Sequence, residues 1–179
     1  MFMKLIVAVL VLVGLGLAVR IYMSRPSENE LRPDERIAIR ELRDPIPGNA
    51  FLACPPNYCQ ATAAASPAFA LPVDRLAALW TQLLAGEPNI VKVAAQPDQN
   101  RLVVIQHTSV FGFPDIVTAE FVALGPDRSS LAVYSRARYG SGDFGTNRRR
   151  VRAWLSQLES LADIVVPDGT PAAPDAASK

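Results

Sequence analysis

Residues 130–138 read SLAVYSRAR, and the alternation in this stretch predicts a β-strand with two unlike faces. One face carries small and apolar side chains, those of Leu131, Val133, Ser135 and Ala137. The other face carries Ala132, Tyr134, Arg136 and Arg138. We expect the first face to pack on helices and the second to point outward or into a groove.

Three further strand-like runs precede this one, at residues 90–95, 101–108 and 116–124. Turn-forming residues separate consecutive runs, and such short links predict antiparallel neighbours. Residues 72–85 and 146–163 show the three- and four-residue apolar spacing of amphipathic helices. We therefore predict an α+β domain in which a helix, a four-stranded antiparallel sheet and a C-terminal helix follow one another.

The N-terminal stretch is apolar enough to form a transmembrane helix. Residues 5–19 contain no charge, and residues 3–23 are long enough to cross a bilayer. We prefer an uncleaved anchor to a cleaved signal peptide, which remains the alternative. Orientation stays open, because the arginines after the span favour a cytoplasmic domain while the short basic start resembles an export signal.

Composition divides the chain into four regions. Residues 1–23 are the predicted anchor, and residues 72–165 are the predicted globular domain. Residues 24–71 are rich in proline and predict an extended tether, in which Ile37, Ile39 and Leu42 could pack against the domain. Residues 166–179 contain mainly Pro, Ala and Asp, which predicts a disordered tail.

Overall composition excludes several classes of protein. A formal net charge of +1 argues against a nucleic-acid binder. Two cysteines and one histidine are too few for a four-ligand zinc site of these residues, and we predict no metal and no cofactor.

The strongest local signal is cationic. Residues 136–152 contain six arginines and one acidic residue, where a strand passes through a glycine-rich loop into a helix. Helix N-terminal amides after such a loop can bind an anion. The predicted ligand-binding residues are Arg136, Arg138, Asp143, Asn147, Arg148 and Arg149. The alternative is internal neutralisation by Asp143, Asp115 or Glu120. In that case Asp143 would cap or pair within the loop, and Asn147 or Thr146 would cap the helix.

Two nucleotide-binding motifs do not fit this loop. The Gly-Lys-Ser/Thr ending of a Walker A loop is missing. Residues 140–145 have the G-x-G-x-x-G spacing, but that motif belongs to a parallel βαβ unit rather than to the end of a meander.

Four motifs in order resemble the domain of unknown function family 1499 (DUF1499). They are Cys54-Pro-Pro-Asn-Tyr-Cys59, Phe111-Gly-Phe-Pro-Asp115, Ser135-Arg-Ala-Arg138 and Gly140-x-x-Asp143-x-Gly145-x-Asn147-Arg-Arg-Arg-Val151. The resemblance covers residues 49–161. It implies a bacterial, often membrane-anchored envelope protein and brings no established activity or catalytic residue.

The two cysteines, Cys54 and Cys59, enclose four residues. In an oxidising compartment they would form a small disulfide loop, whereas in the cytoplasm they would be free thiols or metal ligands. Because the resemblance and the signal-like start both point to export, we favour a single-pass protein of the bacterial inner membrane with a periplasmic domain. The cytoplasmic side is the alternative.

Three functions remain open. The preferred one is a membrane-tethered binding module whose arginines take an anionic ligand, a lipid head group or an acidic protein. A hydrolytic or thiol enzyme would use His107, Asp115 or Cys59. In a purely structural domain every arginine would be paired internally. We consider an enzyme the less favoured hypothesis. We expect Phe111, Phe113 and Phe144 to serve as core residues or loop plugs.

Overall fold

The computed structural model describes residues 2–165 of the chain, so the predicted disordered tail lies outside the described residues. Three α-helices are present: α1 (Phe2–Met23), α2 (Val73–Gly86) and α3 (Thr146–Val165). Seven strands accompany them: β1 (Ala50–Cys54), β2 (Ala64–Ala65), β3 (Ala68–Phe69), β4 (Ile90–Gln96), β5 (Arg101–His107), β6 (Pro114–Gly125) and β7 (Arg128–Ala137). The predicted α+β class is confirmed.

The apolar N-terminal stretch forms the single helix α1, none of whose residues is buried. At 22 residues it is long and apolar enough to cross a membrane. Length and composition are the basis of that statement, since a signal sequence has the same properties.

The prediction of four strands in a purely antiparallel sheet is wrong. The sheet has seven strands in the order β2-β1-β7-β6-β5-β4, with β3 also paired to β7. Strands β4 to β7 form the expected antiparallel meander, whereas β1 and β2 pair in parallel. The extra strands come from the proline-rich segment, which adds β1 and β3 along the free edge of β7. A two-residue strand has no measurable periodicity, so β2 and β3 carry no sequence signal.

One face of the sheet packs on α2 and α3 around a single apolar core. Leu131 and Val133 of β7 are fully buried there, as the alternation of that strand predicts. Trp80 of α2 and Trp154 of α3 meet edge to face with ring centroids 5.6 Å apart, which joins the two helices. The two helices therefore form one packed layer on this face of the sheet.

The opposite face is covered by the proline-rich segment rather than by solvent. Ile39 is fully buried against Leu52, Ala132 and Tyr134. The expectation that Tyr134 points outward is wrong, because the segment before β1 folds back over that face. Cys54 and Cys59 form a disulfide at the edge of this second core. The predicted tether thus contributes a cover and three strands to the fold.

Candidate functional site

The sheet separates the cationic stretch of residues 136–152 into two groups with different surroundings. Arg136 of β7, and Arg138 directly after it, lie on the side of the sheet that the N-terminal segment covers. Arg148, Arg149 and Arg152 lie on α3, on the other side of the sheet. The predicted ligand-binding residues therefore do not border one common groove.

Arg138 forms ion pairs with two carboxylates of the N-terminal segment. Its Nε and Nη2 donate to the two carboxylate oxygens of Glu35 at 2.6 and 2.8 Å, and its Nη1 donates to Glu28 at 3.2 Å. The side chain is 2% exposed. Burial would lower the pKa of Arg138, but its hydrogen bonds and attraction to Glu35 and Glu28 raise it. Neighbouring Arg136 is only weakly paired, with Asp34 at 3.9 Å.

Asp143 holds the start of α3. Its two carboxylate oxygens accept the backbone amides of Gly145 at 2.9 Å and Asn147 at 2.7 Å. Partial burial would raise the pKa of Asp143, but these backbone hydrogen bonds outweigh it and lower the pKa. A carboxylate at this position also complements the positive end of the helix dipole.

Asn147 is fully buried in a polar network beneath the loop. Its Oδ1 accepts hydrogen bonds from Ser135 at 2.5 Å and from Arg150 at 2.6 Å, while its Nδ2 donates to the carbonyl of Asn49 at 3.0 Å. The side chain thus ties β7, α3 and the start of β1 together.

Arg150, which is not among the predicted ligand-binding residues, pairs with Asp115, one of the three carboxylates proposed to neutralise the stretch. Its Nη2 donates to the buried carboxylate of Asp115 at 2.5 Å. Burial raises the pKa of Asp115, although Arg150 partly opposes this rise. The Arg-Arg-Arg run hid this pair, because helical spacing alone does not say which of three adjacent arginines points inward.

The remaining arginines of α3 are not neutralised by a carboxylate within the described residues. None of the ion pairs formed within residues 2–165 includes Arg148, Arg149 or Arg152. Arg149 donates to the carbonyl of Phe144 at 2.8 Å and to the hydroxyl of Thr146 at 3.2 Å. Arg148 and Arg152 lie 5.7 and 5.9 Å from the ring centroid of Phe51.

A cavity of about 960 Å³ opens beside Arg149 and Arg150. Its walls come from the end of β5, the loop of residues 108–113, the glycine loop before α3 and the first half of α3. Aromatic and apolar side chains supply much of the lining, namely those of Val110, Phe111, Phe113, Ala137, Phe144, Ala153 and Trp154. Asp143, Arg149 and Arg150 also line it, so it contacts part of the predicted site.

Two buried polar atoms of cavity-lining residues lack a protein partner. They are Nε2 of His107 and Oε1 of Gln106, whose side-chain amide nitrogen donates to the carbonyl of Pro88 at 3.0 Å. Burial, together with the charge of Arg138, lowers the pKa of His107 despite the opposing charge of Glu28. The lone histidine is therefore held toward its neutral form beside the cavity.

Phe144 is exposed in a strained backbone conformation at the rim of the cavity. Its φ of 52° lies in the left-handed region, where a bulky residue is unusual. Its side chain is 98% exposed, so the expectation of a core residue or loop plug is wrong for this phenylalanine. A strained and fully exposed aromatic residue points to a role outside the fold.

The loop of residues 108–113 connects the cavity to the apolar helix. Nη1 of Arg20, in the last turn of α1, donates to the carbonyls of Ser109 and Val110, both at 2.9 Å. Val110 is 70% exposed and Phe111 is 47% exposed. The rim of the cavity therefore lies directly beside the end of α1.

The residues proposed for an enzyme are only partly brought together. His107 and Asp115 both line the cavity, but Asp115 is engaged by Arg150. Cys59 is bonded to Cys54, so no thiol is available there as a nucleophile. Within residues 2–165, no group of three or more His, Cys, Asp or Glu side chains could hold a metal ion.

Comparison with known proteins identifies a family without an assigned activity. The family model described as "Protein of unknown function (DUF1499)" matches residues 50–158, which confirms the resemblance carried by the motifs. Among solved structures, the chain is similar to a conserved protein of unknown function from Enterococcus faecalis, with 14% identity and a TM-score of 0.30. That alignment covers 62% of this chain and 75% of the other. No curated protein matches the chain.

Proposed function

The chain belongs to the DUF1499 family, whose function is unknown, and we propose that it is a membrane-anchored binding domain for one anionic amphiphile. The observation that carries the proposal is the cavity of about 960 Å³ beside α1, with apolar walls and an arginine at its edge. This volume is at the upper end of the range for small-molecule sites, about 300–1,000 Å³.

The lining of the cavity suits a ligand with two chemically different parts. Phe113, Ala153 and Trp154 offer apolar surface to an alkyl chain. Arg149 offers a guanidinium that is bonded to neutral oxygens and to no described carboxylate. Hydrogen bonds from a guanidinium to an anionic group are stronger than those to a neutral one. An alkyl chain with an anionic head therefore fits this cavity better than a fully polar anion does.

The position of the cavity suggests where such a ligand comes from. The loop that lines it is bonded to Arg20 at the end of the apolar helix. If α1 crosses the bilayer, the cavity lies at the lipid surface. A membrane phospholipid and a free fatty acid share the required chemistry, and the experiment below distinguishes them.

We also propose that the domain lies on the periplasmic side of a bacterial inner membrane. The disulfide between Cys54 and Cys59 supports this location, because such bonds persist in oxidising compartments. Reporter fusions at the C-terminus test it. A periplasm-active alkaline phosphatase should give activity there, and fluorescence from a cytoplasm-active fluorescent protein at the same site would contradict the proposal.

The binding proposal is tested by native mass spectrometry of the full chain in detergent micelles. Phosphatidylglycerol, palmitate and neutral diacylglycerol serve as probes, each added separately. We expect one phosphatidylglycerol or palmitate molecule to bind per chain. Whichever of the two binds more strongly shows whether the ligand is a membrane phospholipid or a free fatty acid. We expect Arg149→Gln to reduce the preference for anionic over neutral probes by about tenfold, since hydrogen bonds to charged groups contribute roughly 1.5–3 kcal/mol.

A matched pair of substitutions locates the ligand. Ala153→Phe places a ring in the cavity, whereas Ser156→Phe adds the same ring to an exposed position of α3 outside the lining. We expect Ala153→Phe to lower binding by about tenfold or more, because the ring occupies space that the alkyl chain needs. Ser156→Phe should bind as the wild type does. Equal binding by both variants would place the ligand elsewhere and defeat the proposal.

A further inference from the structure

We infer that the loop of residues 108–113 enters the bilayer beside α1, so that the cavity opens toward the lipid. The inference rests on the membrane anchorage proposed above, and it adds a second contact between the domain and the membrane. The partner is the lipid surface itself, approached by the tip residues Val110 and Phe111.

The first observation concerns the level at which the loop meets the helix. A Cβ built on Gly16 of α1 would lie 3.8 Å from the ring of Phe111. Gly16 is four residues before Arg20, which corresponds to about 6 Å along the axis at a rise of 1.5 Å per residue. It lies inside the uncharged run of residues 5–19. If that run is in the bilayer, the ring of Phe111 lies at the depth of the apolar layer.

The contact is made by one face of α1. Gly16, Val19 and Met23 are more covered than most of the helix, and their spacing of three and four residues places them on one side. A Cβ on Gly112 would lie 3.7 Å from the Cβ of Met23, so the loop follows this side over about two turns. The small residue at position 16 lets the aromatic ring approach the helix backbone.

The second observation is that part of the loop's backbone, at its two ends, is satisfied internally. The amide of Thr108 donates to the carbonyl of Phe113 at 2.9 Å, and the amide of Gly112 donates to the carbonyl of Thr108 at 2.9 Å. The amide of Phe113 donates to the hydroxyl of Thr108 at 2.9 Å. Such pairing is what a loop near hydrocarbon requires, because water is not available there to bond with free amides and carbonyls.

Arg20 adds to this pairing from the helix. One of its guanidinium nitrogens donates to the carbonyls of Ser109 and Val110, which would otherwise need water. An arginine near the end of a membrane helix normally extends toward the head groups. Here its side chain bonds to two carbonyls of the loop, and this gives the charged residue in the last turn of α1 a role.

The composition of the loop agrees with its position. Residues 108–113 read TSVFGF and contain no charged side chain. Val110 is 70% exposed and Phe111 is 47% exposed, so the tip of the loop leaves two large apolar side chains uncovered by the domain. Aromatic residues are enriched at the interface between membrane and water. Phe144, on the opposite rim of the cavity, presents a second exposed ring.

Quenching of tryptophan fluorescence by brominated lipids tests the inference. The full chain is reconstituted into vesicles of brominated phosphatidylglycerol and phosphatidylcholine, with carbonate-resistant flotation as the check on α1. Phe111→Trp is compared with Leu124→Trp in the β6–β7 hairpin, at the other end of the meander. The two positions are matched in exposure, at 47% and 45%. The signal of the buried Trp80 and Trp154 is measured in the wild type and subtracted.

We expect Phe111→Trp to be quenched at least about twofold more than Leu124→Trp, because only the first ring reaches the lipid. A lipid bound in the cavity could also quench this ring, so the pair is repeated in the Ala153→Phe background. Quenching that persists there supports insertion. Quenching that disappears there overturns insertion and leaves the proposed ligand site intact. Equal quenching at the two positions also overturns the inference, and loss of flotation would instead refute the anchorage.

Discussion

Two groups of arginines from one short stretch of sequence have opposite surroundings in the structure. Arg138 is buried between two carboxylates, whereas Arg148, Arg149 and Arg152 retain exposed charge on α3. The partners of Arg138, Glu28 and Glu35, lie more than one hundred residues earlier in the chain. Charge density along a sequence therefore does not measure free charge, because distant segments decide which cations are neutralised.

The two groups also differ in what they hold together. Arg138 fixes the N-terminal segment over one face of the sheet through Glu28, Glu35 and the carbonyl of Glu30. The exposed arginines make contacts within α3, with the loop before it and with Phe51. We therefore expect substitution of Arg138 to change stability, and within the second group we expect substitution of Arg149, which lines the cavity, to change binding.

The largest effect is expected for Arg138→Met. Removing the guanidinium leaves the buried carboxylate of Glu35 without its cation and that of Glu28 with Arg32 alone, at 3.6 Å. Such a change costs about 3–5 kcal/mol of unfolding free energy. Arg149→Met, which removes an exposed arginine with two hydrogen bonds to neutral groups, should cost less than about 1 kcal/mol. Urea denaturation of the full chain in detergent micelles, followed by tryptophan fluorescence, measures both.

A compensating variant shows whether the cost arises from unpaired carboxylates. Glu35→Leu combined with Arg138→Met removes the closest carboxylate together with its cation, and should recover part of the lost stability. If the double variant is as unstable as the sum of the single variants, buried charge is not the cause. The contrast between the two arginine groups would then rest on packing alone.

The second-largest loss of unfolding free energy is expected for Asn147, which lies in the sequence between Arg138 and the exposed arginines of α3. Asn147→Ala leaves the hydroxyl of Ser135, the guanidinium of Arg150 and the carbonyl of Asn49 with one partner fewer each. We expect a loss of about 2 kcal/mol, since leaving a buried polar group unpaired costs about 1–3 kcal/mol. Thr146→Ala removes a neighbouring side chain outside this network and should cost less than about 0.5 kcal/mol. Similar losses for both would contradict a special role for the buried amide.

Sequence reasoning predicted the parts of the fold that have clear periodicity. The alternation in β7 and the apolar spacing in α2 and α3 are strong signals because each element buries one side. Strands β1, β2 and β3 lack such a signal, since they are short and lie among prolines. Their position depends on the free edge of β7, which is a tertiary property.

The candidate site was predictable only in part. The glycine loop and the arginines of α3 stand out in the sequence, and Arg149 does line the cavity. The cavity itself could not be predicted, because it forms where the loop of residues 108–113 meets the first half of α3. The exposure of Phe144 also had no sequence signal beyond its place between Asp143 and Gly145.

Acidification should lower the unfolding free energy, because it protonates the carboxylate of Glu28 that pairs with Arg138. Burial would raise the pKa of Glu28, but hydrogen bonds from Tyr139 and Arg138 and the charge of Arg138 lower it. A carboxyl whose pKa is lower in the folded state stabilises the fold above its unfolded pKa. This contribution is lost as the pH falls through the folded pKa, so unfolding free energy should decrease between about pH 5 and about pH 3.

Glu28→Gln isolates this contribution. The difference in unfolding free energy between wild type and variant should shrink on acidification, and Asp143 and Asp115 contribute equally to both proteins. Asp115, whose pKa is raised by burial despite Arg150, acts in the opposite direction and is removed by the subtraction. A difference that stays constant from about pH 6 to about pH 3 would show that Glu28 does not titrate with the fold.

The smallest effect on the unfolding free energy is expected for substitutions of the exposed arginines Arg148 and Arg152. Arg148→Gln and Arg152→Gln each remove a cation near the ring of Phe51, an exposed contact of about 0.5–1 kcal/mol at most. Arg148→Gln also removes a cation from the first turn of α3, where positive charge opposes the helix dipole by about 0.3–1 kcal/mol. The two terms have opposite signs and similar size, so the unfolding free energy should stay within about 0.5 kcal/mol of wild type. A loss as large as that of Arg138→Met would mean that these arginines also serve the fold, and the division of the stretch into a structural and a free group would fail.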